Sequence, residues 1–466
     1  MAAELRDTAT AICGPQSIRT INPYQPPPED VSFISQKRVA GGETDDLQFY
    51  GNNQSNALVE GIPFSRYWQA EDKENYVFHP MVWGRYVFNS AEDRNFANSL
   101  RAKTDRVGAR LPNGAIAFYY PNHYPLARMM GPELVYSCIS QSEALAGYTR
   151  AERSHPDLEL EALTDAVCDG LFLPHHLGGV DLGVAQLEIP LFRANPEIIL
   201  NGWLHALFNL TDFAIVREDE RVAAYVERNL RFFVDHHHLW YDEERHISRY
   251  SETCPIRVTL RPERPDQSFQ TVYRSRVREL DCYAFPLAED FEKRLGGYDN
   301  RIVSRASNGV LTAVTTISGL FDTFITSAEP FELRLRPGGY DPRRATPDGS
   351  GEWHALPSTV RNGVHAVELD LLNTELFRGY PTNFAKANGK NFYRVQHIVA
   401  LGYIAQSAHF LSRDLFEECK VISQRWSDST DKTSYDRRFE EASYVLEKVN
   451  DGKILNQITD IKGIMG

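Results

Sequence analysis

No stretch of this sequence is apolar enough, for long enough, to cross a membrane as a helix, which needs roughly 18 consecutive apolar residues. The opening residues, MAAELRDTATAICGPQ, also lack the apolar centre of a signal peptide. We therefore expect a cytoplasmic protein that has no membrane as a partner.

Cysteine is scarce, and the six cysteines are scattered without a CxxC pair. Zinc knuckles and disulfide scaffolds both depend on closely spaced cysteines, so neither is indicated. Reduced thiols and the absence of a structural metal are the expectation.

Positive charge is also in short supply, since 50 Lys and Arg oppose 63 Asp and Glu, giving a formal charge of −13. Duplex nucleic acid needs a broad basic face, which this balance opposes. We expect no nucleic-acid partner. A polyanionic ligand would need a local basic groove.

Nucleotide-binding and serine-hydrolase signatures are missing as well: no GxGxxG precedes a helix, and neither a Walker loop nor a GxSxG elbow occurs. What is present is an ordinary globular composition, with 42% hydrophobic and 24% charged residues over 466 positions. That length suits two or three domains.

Composition divides the chain into five segments. A Pro/Gly-rich extension (1–55) precedes an aromatic-rich entry (56–130), which predicts a helix near Pro80 to Lys103 and a hairpin at Asn113-Gly114. Three further segments follow: a helical body (131–253), a β-sandwich module (254–372), and a helical return with a C-terminal tail (373–466).

The helical body and the β-module are predicted from different periodicities. Ile199, Leu200, Trp203, Leu204 and Leu207 recur with the spacing of one buried helical face. IRVTLRP, TAVTTISG, FELRLRP and HAVELDL alternate as strands do and are separated by turn residues. The chain is thus predicted to be α+β, with antiparallel helix pairs and a sandwich.

Three phrases between Pro132 and Leu210 carry a more specific signal: YSCISQSEALAGYTRA, LGGV and EIPLFRANPEIILNGWLHALFNL. Their content and order resemble the C-terminal catalytic domain of D-glucuronyl C5-epimerases. The matching positions are Tyr136-Ser137, Gln141, Gly178 to Val180, Glu188 to Pro190 and Leu200 to Trp203.

The resemblance implies an α/α toroid, either incomplete or like a six-hairpin barrel, joined to the β-sandwich. It also implies a cofactor-free enzyme that inverts C5 of a uronic acid residue in an oligo- or polysaccharide, between glucuronate and iduronate. Such a reaction removes the C5 proton from one face of the sugar and returns a proton to the other. It therefore needs two proton carriers and donors that hold the carboxylate.

Catalytic roles are implied for Glu188, Tyr250 and Tyr393. WYDEERHISRYSE resembles the family's Tyr-Asp turn followed by a catalytic Tyr, and NFYRVQHI resembles its Asp-Tyr-x-x-x-His-Ile. The family's Glu-Tyr-Pro is Glu188-Ile189-Pro190 here, so the acid is kept while the adjacent Tyr is missing. Substrate-binding roles fall on Tyr136, Gln141, Arg193, Asn201, Arg249, Arg394 and His397.

Several alternatives stay open. A uronate lyase shares the C5 deprotonation and then expels the 4-oxygen substituent, whereas a non-catalytic glycan-binding protein is favoured by the missing Tyr. Tyr136 could simply pack in the core, and Glu188 and Arg193 could form an ion pair. The run Asp235 to His238 lacks metal-ligand spacing and indicates a helix end. A homodimer through the β-module is compatible with the sequence, but no particular residue indicates it.

Overall fold

The computed structural model describes part of the chain, and its contacts divide the chain into two compact units. The described residues are 2–20, 38–40, 48–50, 56–66, 75–111, 113–121, 136–188, 197–242, 247–248, 251–287, 303–337, 354–369, 397, 400–404 and 410–428. The β-unit comprises Met1–Tyr24, Pro190–Ile199 and His237–Tyr393. The helical unit comprises Gln25–Ile189, Leu200–His236 and Arg394–Gly466.

Seven of the described helices belong to the helical unit. They are α2 (Pro80–Ser90), α3 (Arg94–Val107), α4 (Cys138–Ser154), α5 (Glu161–Asp169), α6 (Leu200–Arg217), α7 (Glu220–His236) and α8 (Arg413–Asp428). The helix predicted near Pro80 to Lys103 is thus two helices. Asp93 starts the second one, because its side chain accepts a hydrogen bond from the backbone N–H of Asn95.

Helices α4 and α6 form the interior of the helical unit. Thirteen of the 17 residues of α4 and 14 of the 18 residues of α6 are buried, so these helices have no solvent face of normal width. By contrast, α3 buries five of its 14 residues and α7 buries seven of 17. The buried face predicted from the Ile199 to Leu207 periodicity is confirmed.

Helices α2 and α4 run in the same direction. A Cβ on Gly84 of α2 would lie 2.6 Å from the Ala144 nitrogen, and a Cβ on Gly147 would lie 2.7 Å from the Phe88 nitrogen. Contacts that advance together along both helices require α2 and α4 to be parallel. These glycines let the two backbones approach closely.

Small sheets precede the interior helices. β2 (Arg38–Ala40), β3 (Gln48–Tyr50), β4 (Asn56–Val59), β5 (Ile62–Arg66) and β6 (Asn75–Phe78) form a sheet in the order β2-β6-β5-β4-β3. β7 (Ala109–Arg110) and β8 (Ile116–Ala117) pair antiparallel around Asn113 and Gly114. The predicted Asn-Gly hairpin is therefore confirmed.

The β-unit contains two larger sheets. Their strands are β1 (Ile18–Thr20), β11 (Thr253–Pro262), β12 (Gln270–Ser275), β13 (Cys282–Pro286), β14 (Val303–Arg305), β15 (Leu311–Ser318), β16 (Phe321–Ser327), β17 (Phe331–Pro337), β18 (His354–Pro357), β19 (Thr359–Arg361) and β20 (Val364–Leu369). A short pair, β9 (Tyr241–Asp242) with β10 (Ile247–Ser248), precedes them. The orders are β1-β13-β12-β16-β20-β19 and β14-β15-β11-β17-β18.

The N-terminal helix α1 (Ala2–Cys13) covers one face of the six-stranded sheet. Leu5, Ala9, Ile12 and Cys13 pack in one apolar cluster with residues of the sheet, namely Val272, Cys282, Ala284, Phe324 and Ala366. β1 then extends the sheet by pairing parallel with β13. The first 20 residues of the predicted extension thus contribute a helix and a strand to the β-unit.

The chain is accordingly a mixed α+β protein with several sheets. In the part that the structure describes, no helix has the length and apolar character required to cross a membrane.

Candidate functional site

The three phrases singled out in the sequence meet at the N-terminal ends of α4 and α6. Leu187 connects them through its backbone: its N–H donates to the Val180 carbonyl at 2.8 Å, and its carbonyl accepts from the Cys138 N–H at 3.3 Å. The LGGV turn is thereby fixed to the start of α4. Glu188, the next residue, is carried to the same place.

Glu188 lies against the first turn of α6. A Cβ on Gly202 would be 2.4 Å from the Cβ and Cγ of Glu188 and 2.7 Å from its Oε2. Only a glycine at position 202 leaves this space for the carboxylate. Glu188 is 7% exposed, so its side chain is largely removed from water.

The Glu188 carboxylate affects the ionisation of the Cys138 thiol. Burial raises the pKa of Cys138 well above its usual value, and the charge of Glu188 raises it further. Cys138 is the first residue of α4, and Gly202 is in the first turn of α6. A carboxylate is therefore held beside two helix N-termini, where helix dipoles favour negative charge.

Two polar side chains at these N-termini have hydrogen-bonding capacity to spare. Ser137 occupies the N-cap of α4 without a side-chain capping bond, and its Oγ is buried without a hydrogen-bond partner among the described residues. The Oδ1 of Asn201, a predicted substrate-binding residue, is in the same condition. Buried polar atoms without partners are uncommon and are often found at functional sites.

Tyr136 and Gln141 hold the surrounding loops. The Tyr136 hydroxyl donates to the Gly170 carbonyl at 2.7 Å, and its ring packs edge-on against Tyr119. The Gln141 amide donates to the carbonyls of Ile116 and Val167 at 2.7 and 2.8 Å. Its Oε1 accepts from the N–H of Phe118 at 3.2 Å. Both side chains thus use their polar atoms to bind backbone groups.

A buried contact between a histidine and a glutamate inside the helical unit was not predicted. His205 Nε2 on α6 lies 2.7 Å from Glu143 Oε1 on α4, and both side chains are about 95% buried. One turn further along α6, the Asn209 amide donates to Ser142 Oγ at 3.1 Å. Asn201, His205 and Asn209 recur every four residues in the first eleven residues of α6, which are otherwise apolar. That spacing is the sequence signal for a polar stripe facing α4.

Carboxyl groups are also buried in the β-unit, and one of them belongs to a segment, Ser251 to Thr253, that follows the predicted catalytic Tyr250 in sequence. Glu197 Oε1 accepts from Ser251 Oγ at 2.8 Å and from Thr253 Oγ1 at 2.7 Å. Both carboxylate oxygens of Glu252 accept from the Ile198 N–H, at 3.3 and 3.1 Å. Burial, followed by the charge of Glu197, raises the pKa of Glu252 well above its usual value.

His397, the remaining described site residue, is fully buried in the helical unit. Its ring centroid lies 6.3 Å from that of Trp426 on α8. The other predicted site residues lie outside the described residues, as does Ile189; they are Arg193, Arg249, Tyr250, Tyr393 and Arg394.

The histidine run crosses the end of α7. His236 is the last residue of that helix, and His237 to Trp240 form a short 3₁₀ helix. The Nδ1 of His236 lies 2.9 Å from the Phe232 carbonyl. Among the residues the structure describes, no cluster of three or more His, Cys, Asp or Glu has a geometry suited to a metal ion.

Comparison with known proteins identifies no relative: no family model matches the chain, and no curated protein or solved structure gives a significant match.

Proposed function

We propose that this protein is a carbohydrate-active isomerase that inverts C5 of a uronic acid residue in a glycan, with Glu188 as a proton acceptor. The observation that carries the proposal is the meeting of LGGV, Glu188 and Asn201-Gly202 at the start of α4. These residues belong to the three phrases that resemble the glucuronyl C5-epimerases. Residues from separate segments that carry the resemblance therefore meet at the Glu188 carboxylate.

The environment of Glu188 suits a base for a weakly acidic C–H group. Glu188 is largely shielded from water, so a C–H group of a bound sugar can take the place of solvent as its proton source. Ser137 supplies a spare hydroxyl donor near it, and the Oδ1 of Asn201 supplies a spare acceptor. The developing negative charge on the uronate carboxylate requires donors such as the Ser137 hydroxyl.

The remaining roles rest on sequence. Glu188 removes the C5 proton, the electron pair delocalises onto the adjacent carboxylate, and Tyr250 or Tyr393 delivers a proton to the opposite face. Arg193, Arg249 and Arg394 are the candidates for binding the carboxylate. No cofactor takes part in this scheme. Because the protein has a formal charge of −13, its preferred substrate is a uronate chain that carries little sulfate.

The arrangement of helices supports the α/α toroid in this proposal. Parallel α2 and α4 alternate along the chain with the more exposed α3 and α5, as the inner and outer helices of a toroid do. We extend the proposal to the β-unit, in which the two sheets would pack as a sandwich. The Phe269 and Phe331 rings, 5.3 Å apart, support that packing.

The test is NMR of the purified protein with glucuronate-containing oligosaccharides in heavy water, which reports deuterium at C5 and any iduronate formed. Deuterated iduronate is the expected product. Unsaturated uronate ends would identify a lyase instead. Binding without exchange, across sulfated and unsulfated chains, would leave a glycan-binding protein and overturn the proposal.

Variants assign the proton carriers. Glu188→Gln keeps the shape of the side chain and removes the base, so we expect at least about a hundredfold lower exchange rate. Glu161→Gln, whose side chain is 74% exposed on α5, is the matched control and should retain full activity. Tyr250→Phe and Tyr393→Phe test the opposite face. A Tyr variant with full turnover is not the proton donor.

The cytoplasmic location expected from the sequence is part of the same proposal. Cell fractionation tests it independently of activity. Recovery of the protein with membranes or in the medium would contradict it.

A further inference from the structure

Two thiols that are remote in sequence share one apolar cluster of the β-unit. Cys13 is the last residue of α1 and Cys282 is the first residue of β13, 269 positions later. Both are buried, with Cys13 5% exposed and Cys282 not exposed at all. They belong to the cluster that attaches α1 to the six-stranded sheet.

The two thiols belong to the same cluster of packed side chains and affect each other's ionisation. Their interaction raises the pKa of Cys13 and lowers the pKa of Cys282, so Cys282 is the thiol that ionises more readily. The Ser275 N–H donates to the Cys282 sulfur at 3.4 Å and thereby stabilises its anion further. A thiolate that is more easily formed is the more reactive partner in disulfide exchange.

Neighbouring contacts hold the end of α1 in place beside β13. The Gln16 amide donates to the Ser275 carbonyl at 3.2 Å, and its Oε1 accepts from the Cys282 thiol at 2.9 Å. The Asn362 side chain donates to the Ala11 carbonyl at 2.7 Å. Arg19 and Asp281 form an ion pair at 2.8 Å. These contacts hold the end of α1 beside the first residues of β13.

We propose that Cys13 and Cys282 are a redox pair whose disulfide fastens α1 to the sheet covalently. When α1 opens locally and admits a small-molecule disulfide as oxidant, the Cys282 thiolate attacks one sulfur and releases one thiolate. The Cys13 thiolate then attacks the mixed disulfide at Cys282 and releases the second. The protein loses two protons and two electrons, and the oxidant becomes two thiols.

This device differs from the proposed function, and its test needs no activity measurement. The fully reduced protein is incubated with glutathione disulfide, alkylated and digested with trypsin under non-reducing conditions. The expected product joins peptides 7–19 and 279–293, with the mass of their sum less two hydrogens. Hydrogen exchange should show α1 protected at least about tenfold more strongly after oxidation, because local opening of α1 is then restricted.

The variants Cys13→Ala and Cys282→Ala should abolish both the cross-link and the added protection. Cys168→Ala, which removes a buried thiol of the helical unit, is the matched control and should leave both intact. If either variant fails to fold, peptide mapping of the unmodified chain decides alone. Free Cys13 and Cys282 after oxidation, or a cross-linked protein with unchanged exchange in α1, overturns the proposal.

Discussion

The Glu188 side chain occupies the volume that a β-carbon on Gly202 would need. The two groups would be 2.4 Å apart, well inside van der Waals contact. The acid from one sequence phrase and the glycine from another are thus complementary in shape. The site therefore requires a glycine at position 202 as much as it requires the carboxylate at position 188.

We expect Gly202→Ala to destabilise the helical unit by about 1–3 kcal/mol, since the added methyl group overpacks a filled site. The same variant should reduce any Glu188-dependent activity. Urea unfolding measures the first effect. In a double-mutant cycle with Glu188→Ala, the combined variant should recover at least about 0.5 kcal/mol. Strict additivity would show that the two side chains do not compete for space.

The buried pair Glu143–His205 should be sensitive to removal of one partner. His205→Ala leaves the buried Glu143 carboxyl group without its polar neighbour inside the helical unit, and we expect a loss of about 1–3 kcal/mol. Arg94→Ala breaks the Arg94–Asp157 pair, in which both side chains are 57% exposed. That control should have a much smaller effect, because water screens an exposed pair. Equal effects of both variants in urea unfolding would contradict the difference.

Because of Asp181, we expect the free energy of unfolding to fall as the pH rises. Burial raises its pKa from 3.8 to about 6, although Tyr225 and the Gly183 N–H donate to it. A folded pKa above the unfolded value adds stability below pH 4 that is lost as the pH approaches 6. The shift of about 2 units corresponds to at most about 3 kcal/mol. Asp181→Asn should remove this slope from urea unfolding measured at pH 4, 5, 6 and 7.

Because of His79, we expect the opposite pH dependence: the free energy of unfolding should rise with pH over nearly the same pH range. Burial, assisted by the charge of Arg85, lowers its pKa from 6.5 to about 4. A depressed pKa adds stability above pH 6.5, and this stability is lost as the pH falls towards 4. The effect is at most about 3 kcal/mol. His79→Phe keeps a ring against Tyr120 and should remove the acid-side loss in the same titration. An unchanged pH profile would show that His79 titrates normally.

Because of Glu252, we expect the free energy of unfolding to decrease further at higher pH. Because its pKa is raised well above 4.5, its folded form keeps a proton that the unfolded chain releases. Stability should then fall by on the order of 1 kcal/mol per pH unit until the folded carboxyl ionises. Glu252→Gln, which resembles the protonated acid, should flatten this fall. Glu332→Gln is the control, because that exposed carboxyl has a lowered pKa. A steeper fall in Glu252→Gln would contradict the assignment.

The local structure was largely readable from the sequence. The apolar spacing around Trp203 predicted a buried helix, and α6 is one. The Asn113-Gly114 pair predicted the β7–β8 turn, since Asn and Gly accept the backbone angles that the turn requires. The α2–α3 break was missed: the run from Pro80 to Lys103 keeps a helical composition, and the capping role of Asp93 was not recognised.

The sequence by itself determined which segments are helical or extended, because apolar periodicity and turn chemistry act between near neighbours. Only the tertiary structure decided which side chains meet. Cys13 reaches Cys282 because α1 needs an apolar surface and the sheet provides one 269 positions later. Glu143 meets His205, and Glu188 meets Gly202, because tertiary packing brings segments that are distant in sequence together. The candidate site therefore depends on long-range packing, which local sequence patterns do not predict.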